Sequence, residues 1–422
     1  THHTLLKTEH HSISDGWSGP ILLGQVHAYY ESLTSGNAPV VTEDTAYLRA
    51  QAYTSTHQAD VTRYWDKQRA RIQGRNDLNA LLTHPTNLDE IKALKSPRSE
   101  EITLSRAMYH DLIQSEGLTV STLVQFAWHK LIHVYTGDTQ TIVGTTISGR
   151  TLPIQGIASS VGPYINTLPL IINWQDMSIR EQLSYIQEQV SALNEHSFAS
   201  LADLQTGGQR LFHSLLVFEN YPAPAKEAHA GLDIQFRGHV EKSDYLFTLL
   251  AYEVGNHLHL KLNYDEAYLS SHKAHQLLLQ IERIITQVSK NTQAPTYQLS
   301  LLSSSEYQTI VYDWNATEKA YPKDKTMHQL FSDQAARTPN NIAVVYEDTQ
   351  LTYQELDEAS NQLAHLIRKQ YTSLQPDTLI ALCLERSLGM VIGILGVLKA
   401  GGAYVPMDPS YPIARIQFML ED

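Results

Sequence analysis

Residues 8–18, TEHHSISDGWS, bring two adjacent histidines, an aspartate and a glycine within a few positions of one another. One imidazole in such a loop can move a proton if it lies within hydrogen-bond reach of the reacting group. Gly16 suits a tight turn, and Asp15 is an anion able to pair with a distant arginine and fix the loop. A metal site is the competing chemistry, with His2, His3, His10, His11 and Asp15 as donors, but no helix presents them at a useful repeat. The bland reading is a polar pair at a strand end, since one His-His pair means little among 20 histidines. Asn166, in INT, has an amide that can bind a carbonyl or satisfy backbone groups at a strand end. Arg150, in SGR, reads as architectural. The single cysteine, Cys383, lies in the apolar run TLIALCLE and reads as packing; alone it excludes a disulfide framework and any cysteine zinc site.

These residues sit in a chain of 422 residues, too long for one ordinary core. Hydrophobic residues make up 42% and charged residues 18%, the proportions of a soluble globular protein. A formal charge of −13, with no Lys/Arg run, argues against nucleic-acid binding. The longest apolar run, LGMVIGILGVL, has 11 residues, short of the roughly 20 that span a bilayer. THHTLLKTEHH lacks the basic-then-apolar order of a secretory signal, so a soluble, cytoplasmic protein without membrane contact is expected. The chain begins without methionine and stops at FMLED inside an amphipathic segment, so both ends are expected to be cut points.

The elements that must position the loop follow from periodicity. PILLGQVHAYYESLTSG predicts a helix from Pro20 closed by Gly36, and VTEDTAYLRAQAYTSTHQADVTRYWDKQRARIQG one or two more. The polar stretch NALLTHPTNLDEIKALKSPRSEE predicts a crossing between lobes. EITLSRA and QTIVGTTISGR read as strands on either side of TVSTLVQFAWHKLIHVYTG, a helix with Val120, Leu123, Val124, Ala127, Leu131 and Val134 on one stripe. A helix (SIREQLSYIQEQVSALNEHS), a strand (HSLLVFENYP) and a hairpin turning at Gly255-Asn256 come next. The following helix carries Leu277, Leu278, Ile281, Ile284, Ile285 and Val288 at helical spacing. Beyond residue 290 a Ser/Thr/Asn-rich stretch reads as an ordered linker docked through Leu299, Leu301, Leu302, Ile310, Val311 and Trp314. From Thr326 helices and strands alternate, with Thr352 and Glu355 in capping-box register, predicting a parallel α/β unit.

EHHSISDGWS resembles the active-site signature of condensation domains from nonribosomal peptide synthetases, relatives of chloramphenicol acetyltransferase. Four stretches are similar to later motifs in family order: YLRAQAYTSTHQADVTRYW, with Tyr47 its best match; TISGR; SSVGPYINTLPL; and LFHSLLVFENYP. LTYQEL and LKAGGAYVPMD resemble the first two signatures of adenylation domains. The resemblance implies an α/β chain: an α+β condensation lobe of chloramphenicol-acetyltransferase-like type, then a truncated α/β adenylation subdomain. The organisation it implies is a condensation domain over 1–292 (end of the amino-terminal lobe 1–75, carboxy-terminal lobe 76–292), a linker over 293–323, and the start of an adenylation domain over 324–422.

The resemblance also implies a reaction. The amine of one carrier-bound amino acid attacks the aminoacyl or peptidyl thioester on a second carrier's 4′-phosphopantetheine arm. His11 then faces the reaction centre, as proton acceptor or as the group that orients the amine. His10 and Asp15 are structural, and Gly16 and Ser18 shape the tunnel beside the arm, with Asn166 a further contact for the arm. In the family the aspartate's arginine comes from the amino-terminal lobe, so Asp15 is expected here without its partner. Upstream and downstream carriers, the missing amino-terminal lobe and the rest of the adenylation domain are the implied partners. ATP and Mg belong to the complete adenylation domain, with the phosphate-gripping loop expected beyond Asp422. DGWSGP departs from the tails of epimerising relatives and the aspartates of heterocyclising ones. A stand-alone acyl-CoA-dependent acyltransferase and a non-catalytic carrier-docking module are the alternatives.

Overall fold

A computed structural model of the chain describes residues 7–10, 12–205, 209–219 and 245–422. It divides into two compact units, residues 1–314 and 315–422.

In the first unit the helix predicted from Pro20 is α1 (Ser18–Thr34), with Pro20 in its first turn, where a missing N–H costs nothing. One long helix follows, α2 (Ala46–Ala70). The stretch expected to cross between lobes makes two short 3₁₀ turns, opened by the side chains of Asp77 and Asn87 accepting from the amides of Asn79 and Asp89. Its Leu78, Leu81, Leu82, Leu88 and Ile91 are buried in the same core as Val61 and Trp65 of α2, so packing is continuous across residue 75.

The remaining elements are β1 (Pro97–Ser105), α3 (His110–Glu116), α4 (Val120–Thr136), β2 (Gln140–Ile147), β3 (Asn166–Asn173), α5 (Ile179–Glu195), the single turn α6 (Leu201–Leu204), β4 (Ser214–Glu219), β5 (Phe247–Val254), β6 (His257–Asp265), α7 (Ser271–Lys290) and α8 (Ser304–Gln308). The strands form one mixed sheet in the order β1-β6-β5-β4-β2-β3, parallel at β5/β4 and β4/β2 and antiparallel elsewhere. Pro169 lies on β3, an edge strand, the place in a sheet where proline is tolerated. The last three residues of HSLLVFENYP lie outside the described residues.

The apolar stripe of α7 is fully buried at all six predicted positions. Burial of each such side chain stabilises by about 1.5–3 kcal/mol relative to exposure. For α4 the one-stripe expectation is corrected. Every residue from Thr122 to Ile132 is buried, because the helix is enclosed between β2, α5 and α7, while Val134 at its end is exposed. Enclosure carries polar side chains inside. Gln125 donates to Thr145 Oγ1 at 3.2 Å, His129 Nδ1 meets Thr141 Oγ1 at 2.8 Å, and the Lys130 ammonium lies 5.2 Å from the centre of the Trp174 ring. Burial pushes His129 down to about 3 and Lys130 down to about 8. Of the linker residues expected to dock, Leu299 is buried and Leu301 packs on the core. Leu302, Ile310, Val311 and Trp314 stand partly or largely exposed, as the chain turns outward through α8 and a π-type turn at Thr309–Asp313.

The second unit contains α9 (Met327–Arg337), β7 (Ile342–Tyr346), β8 (Thr349–Thr352), α10 (Tyr353–Gln370), β9 (Leu379–Cys383), α11 (Leu388–Ala400), β10 (Ala403–Met407) and α12 (Ile413–Glu421). The predicted capping box opens α10, with Glu355 N donating to Thr352 Oγ1 at 3.2 Å and Thr352 N to Glu355 Oε2 at 2.8 Å. Strands β9 and β10 pair in parallel, which the crossover through α11 makes possible, and β7–β8 is an antiparallel hairpin. Cys383 is exposed at the end of β9, not packed, because β9 alternates and Cys383 falls on its outer face.

Candidate active site

The loop before α1 is built from local hydrogen bonds. Ser12 N donates to His10 Nδ1 at 3.1 Å, the Ser12 hydroxyl lies 2.8 Å from the same nitrogen, and Ile13 N donates to the His10 carbonyl at 3.0 Å. A ring nitrogen that accepts from an amide carries no proton, so neutral His10 holds its hydrogen on Nε2. His11, the residue expected to face the reaction centre, lies outside the described residues.

Asp15 is the centre of the arrangement. Its Oδ1 accepts from Ser18 N (2.9 Å), Ser18 Oγ (2.8 Å) and Arg150 Nη2 (3.2 Å); its Oδ2 accepts from Arg150 Nη1 (2.7 Å), Tyr164 N (3.0 Å) and Ile165 N (3.1 Å). The expectation that Asp15 lacks its arginine is therefore corrected. The partner is Arg150, in the same unit, and the two side chains are 6% and 3% exposed. Burial acts to raise the Asp15 carboxyl, but hydrogen bonds from Arg150 and Ser18 outweigh it and hold the group below its ordinary value. Ser18, expected to line a tunnel, is fully buried; its hydroxyl serves Asp15 and accepts from Gly162 N at 3.1 Å. Gly16 lies in the turn between Asp15 and the start of α1.

Arg150 is architectural in a specific way. Its guanidinium lies between the rings of Trp17 (5.4 Å) and Tyr164 (4.3 Å) and also donates to the Ser160 carbonyl at 3.2 Å. Gly149, just before it, has φ +65°, and a Cβ there would lie 2.0 Å from the Tyr164 carbonyl oxygen. No other residue type brings the strand exit this close to the loop.

The 158–165 loop is gripped from a second side. Asp44, ahead of α2, accepts from Ser160 Oγ at 2.7 Å and Val161 N at 3.0 Å, while Tyr164 OH donates to Ser160 Oγ at 2.7 Å. Burial acts to raise the Asp44 carboxyl, and hydrogen bonds led by that from Ser160 bring it below its ordinary value. Tyr47 packs edge-on to Tyr164 at 5.2 Å, beside a small apolar cluster of Ala50, Ile157 and Tyr164. Sequence reasoning passed over Asp44, Ser160 and Tyr164. The available signal was that the similar motif stretches, around Tyr47 and across 159–170, contain or adjoin all three.

Asn166 takes the backbone-satisfying role. Its amide donates to the carbonyls of Ser197 (2.7 Å) and Ala199 (2.8 Å), and its Oδ1 accepts from Thr167 N (2.8 Å). Among the described residues, no group of three or more His, Cys, Asp or Glu could hold a metal. In the second unit, the LKAGGAYVPMD stretch closes α11 at Gly401 and runs into β10. Its Lys399 is engaged by Asp357 Oδ1 (2.7 Å), Ser360 Oγ (2.7 Å) and Asn361 Oδ1 (2.9 Å). This network ties α10 to α11.

The first-unit arrangement is thus a neutralised, buried clamp joining three chain segments. Among the described residues, the acid and base of the clamp, Asp15 and Arg150, are both engaged with one another.

Comparisons with known proteins follow this division. A family profile described as Condensation domain matches residues 1–311, and one described as AMP-binding enzyme matches residues 331–422. N-(5-amino-5-carboxypentanoyl)-L-cysteinyl-D-valine synthase of Penicillium rubens is 38% identical over 99% of the chain. A linear gramicidin synthase of Brevibacillus parabrevis is 35% identical, again over 99%. The chain spans only 12% and 8% of the length of these two relatives. Among solved structures, holo-AB3403, a four-domain nonribosomal peptide synthetase bound to AMP and glycine, superposes with a TM-score of 0.69 at 18% identity, covering 98% of this chain and 33% of that one. The starter condensation domain of rhizomide synthetase RzmA superposes with a TM-score of 0.55 at 16% identity, covering 69% and 68%. At such identities these likenesses concern the fold.

Proposed function

Because the chain belongs to the condensation-domain family of nonribosomal peptide synthetases, with the start of an AMP-binding domain behind it, we propose that its first unit takes part in forming a peptide bond between two carrier-bound substrates. The acceptor α-amine attacks the donor thioester carbonyl; the C–N bond forms, the C–S bond breaks, and the proton lost from nitrogen ends on the departing pantetheine thiol. Carrier domains supply both 4′-phosphopantetheine arms.

The observation that supports this reading is the Asp15–Arg150 clamp. It holds the signature loop at its aspartate, and His10, Ser12 and Ile13 ahead of it are exposed. We assign His11 the reacting position. An α-amine has a pKa of about 8, so a useful fraction is neutral near pH 7 without a strong base. His11 then orients the amine and takes its proton as the tetrahedral species forms, and orientation alone can supply a large part of the barrier reduction. His10, Asp15, Gly16 and Ser18 hold the loop, and Asn166 holds the 197–199 segment. Turnover is assigned to the full synthetase that contains this chain, since the chain spans only 12% and 8% of the length of the two relatives above. ATP and Mg chemistry is assigned to the complete adenylation domain.

The test is His11→Ala in the full synthetase that contains this chain. Loss of dipeptidyl-carrier product, read by intact-protein mass spectrometry, is expected. Turnover at the unsubstituted rate would overturn the assignment.

A further inference from the structure

We propose that Asp44 is a positioning residue for peptide-bond formation, acting through Ser160 and Tyr164 on Arg150 and so on the clamp that holds Asp15 and Ser18 of the signature loop. The inference rests on the function proposed above.

Three observations carry it. Asp44 is supplied by the segment ahead of α2, outside both the signature loop and the SGR exit, yet its carboxylate reaches the loop at Ser160 Oγ (2.7 Å) and Val161 N (3.0 Å). Ser160 is 1% exposed and faces two ways: its hydroxyl goes to Asp44, while its carbonyl takes a bond from Arg150 Nη2 at 3.2 Å. Tyr164 closes the circuit, its OH donating to Ser160 Oγ (2.7 Å), its ring under the guanidinium (4.3 Å) and its amide on Asp15 (3.0 Å).

The carboxylate sets the direction of this chain. It can only accept, so the one hydroxyl proton of Ser160 points to Asp44, and the Tyr164 proton then points to Ser160. Without Asp44 the Ser160 hydroxyl is free to rotate, Val161 N loses its acceptor and the Tyr164 proton its fixed one. Arg150, still paired with Asp15, then loses the fixed position of the Ser160 carbonyl and Tyr164 ring beside it. Arg150 Nε is buried without a partner among the described residues, so no further hydrogen bond there holds the guanidinium's other edge. Asp44 touches no reacting atom in this scheme. Its effect reaches the chemistry as a displacement of the loop, and a shift of about 1 Å can lower a rate by up to about 100-fold.

The experiment compares Asp44→Ala, Asp44→Asn and Tyr164→Phe in the full synthetase, with ATP–pyrophosphate exchange by the same polypeptide as the check of folding. For Asp44→Ala we expect kcat for dipeptidyl-carrier formation to fall about tenfold or more while KM for the downstream carrier stays within about twofold, because orientation and not carrier affinity is lost. Asp44→Asn, whose oxygen can still take the Ser160 hydroxyl and Val161 N while only the Ala46 N contact (3.0 Å) is lost, should restore part of the rate. Asp44→Ala with Tyr164→Phe should be no slower than Asp44→Ala alone by more than about twofold, since both interrupt one chain. Turnover by Asp44→Ala near the unsubstituted rate, no rescue by asparagine, or losses that multiply would each overturn the proposal. Should Asp44→Ala abolish exchange as well, Tyr164→Phe decides, because it keeps the ring and removes only the hydroxyl: a lowered kcat supports the chain and an unchanged kcat overturns it. An unsubstituted synthetase that forms no peptide bond would instead remove the proposed function, so the two failures are distinct.

Discussion

Arg150 and Asp15, 135 residues apart in sequence, meet through two hydrogen bonds of 2.7 and 3.2 Å in a site that excludes water from both side chains. A pair this deeply buried is weak evidence of net stability, yet breaking it leaves a guanidinium inside the protein with no counter-ion. Asp15→Ala is therefore expected to destabilise the first unit by about 3–5 kcal/mol, well above an exposed ion pair. The loss should change little with added salt, because the charges are shielded from solvent. Its pH dependence has a definite sign. The folded Asp15 carboxyl lies below its unfolded value, so its contribution is complete above about pH 4 and is lost as pH falls through the lower folded value. Urea denaturation of unsubstituted and Asp15→Ala chains should show a constant gap from pH 5 to 8 that narrows below about pH 4. A gap that widens on acidification would contradict the assignment.

Lys130 gives a second expectation, with the opposite sign for substitution. Its ammonium is buried on the Trp174 face without an acidic partner among the described residues, and burial lowers it to about 8 from 10.5. Between those values the unfolded chain binds the extra proton, so stability should rise with pH across that interval and stay flat below it. Lys130→Met keeps the length and removes the charge. It should raise the denaturation midpoint near pH 7 by the equivalent of about 1–3 kcal/mol and abolish the rise above pH 8. A destabilised methionine variant would mean that the cation–π contact outweighs the burial of charge.

Local signals and long-range ones fared differently in the sequence. The stripe of α7, the hairpin at Gly255 and the Thr352–Glu355 capping box were all legible, because each is decided by residues within about two turns of chain. The surroundings of α4 were not. Periodicity marks which face is most apolar, but it does not count how many neighbours cover the others, so it gave no sign that Gln125, His129 and Lys130 lie inside. The same holds at the site. The two acidic grips on the 158–165 loop come from Asp15 and Asp44, more than a hundred residues away, and no local pattern pairs them with it. Family likeness located the loop but pointed to an arginine on another lobe, whereas the short SGR stretch held the partner.

Asn166 separates a structural amide from one that meets substrate. Both amide protons go to the carbonyls of Ser197 and Ala199, and the oxygen takes Thr167 N, so alanine should cost about 1–3 kcal/mol in stability. Aspartate should be worse than alanine, although it is the closer match in size. It supplies no donor and sets a carboxylate against two carbonyl oxygens 2.7 and 2.8 Å away. The ranking Asn166, Ala, Asp in urea midpoint is thus the expected order, with KM for the downstream carrier nearly unchanged in the alanine variant. A direct contact with the pantetheine arm predicts the reverse pattern: stability close to that of the unsubstituted chain and a raised KM. Measuring midpoint and KM on the same two variants decides between them.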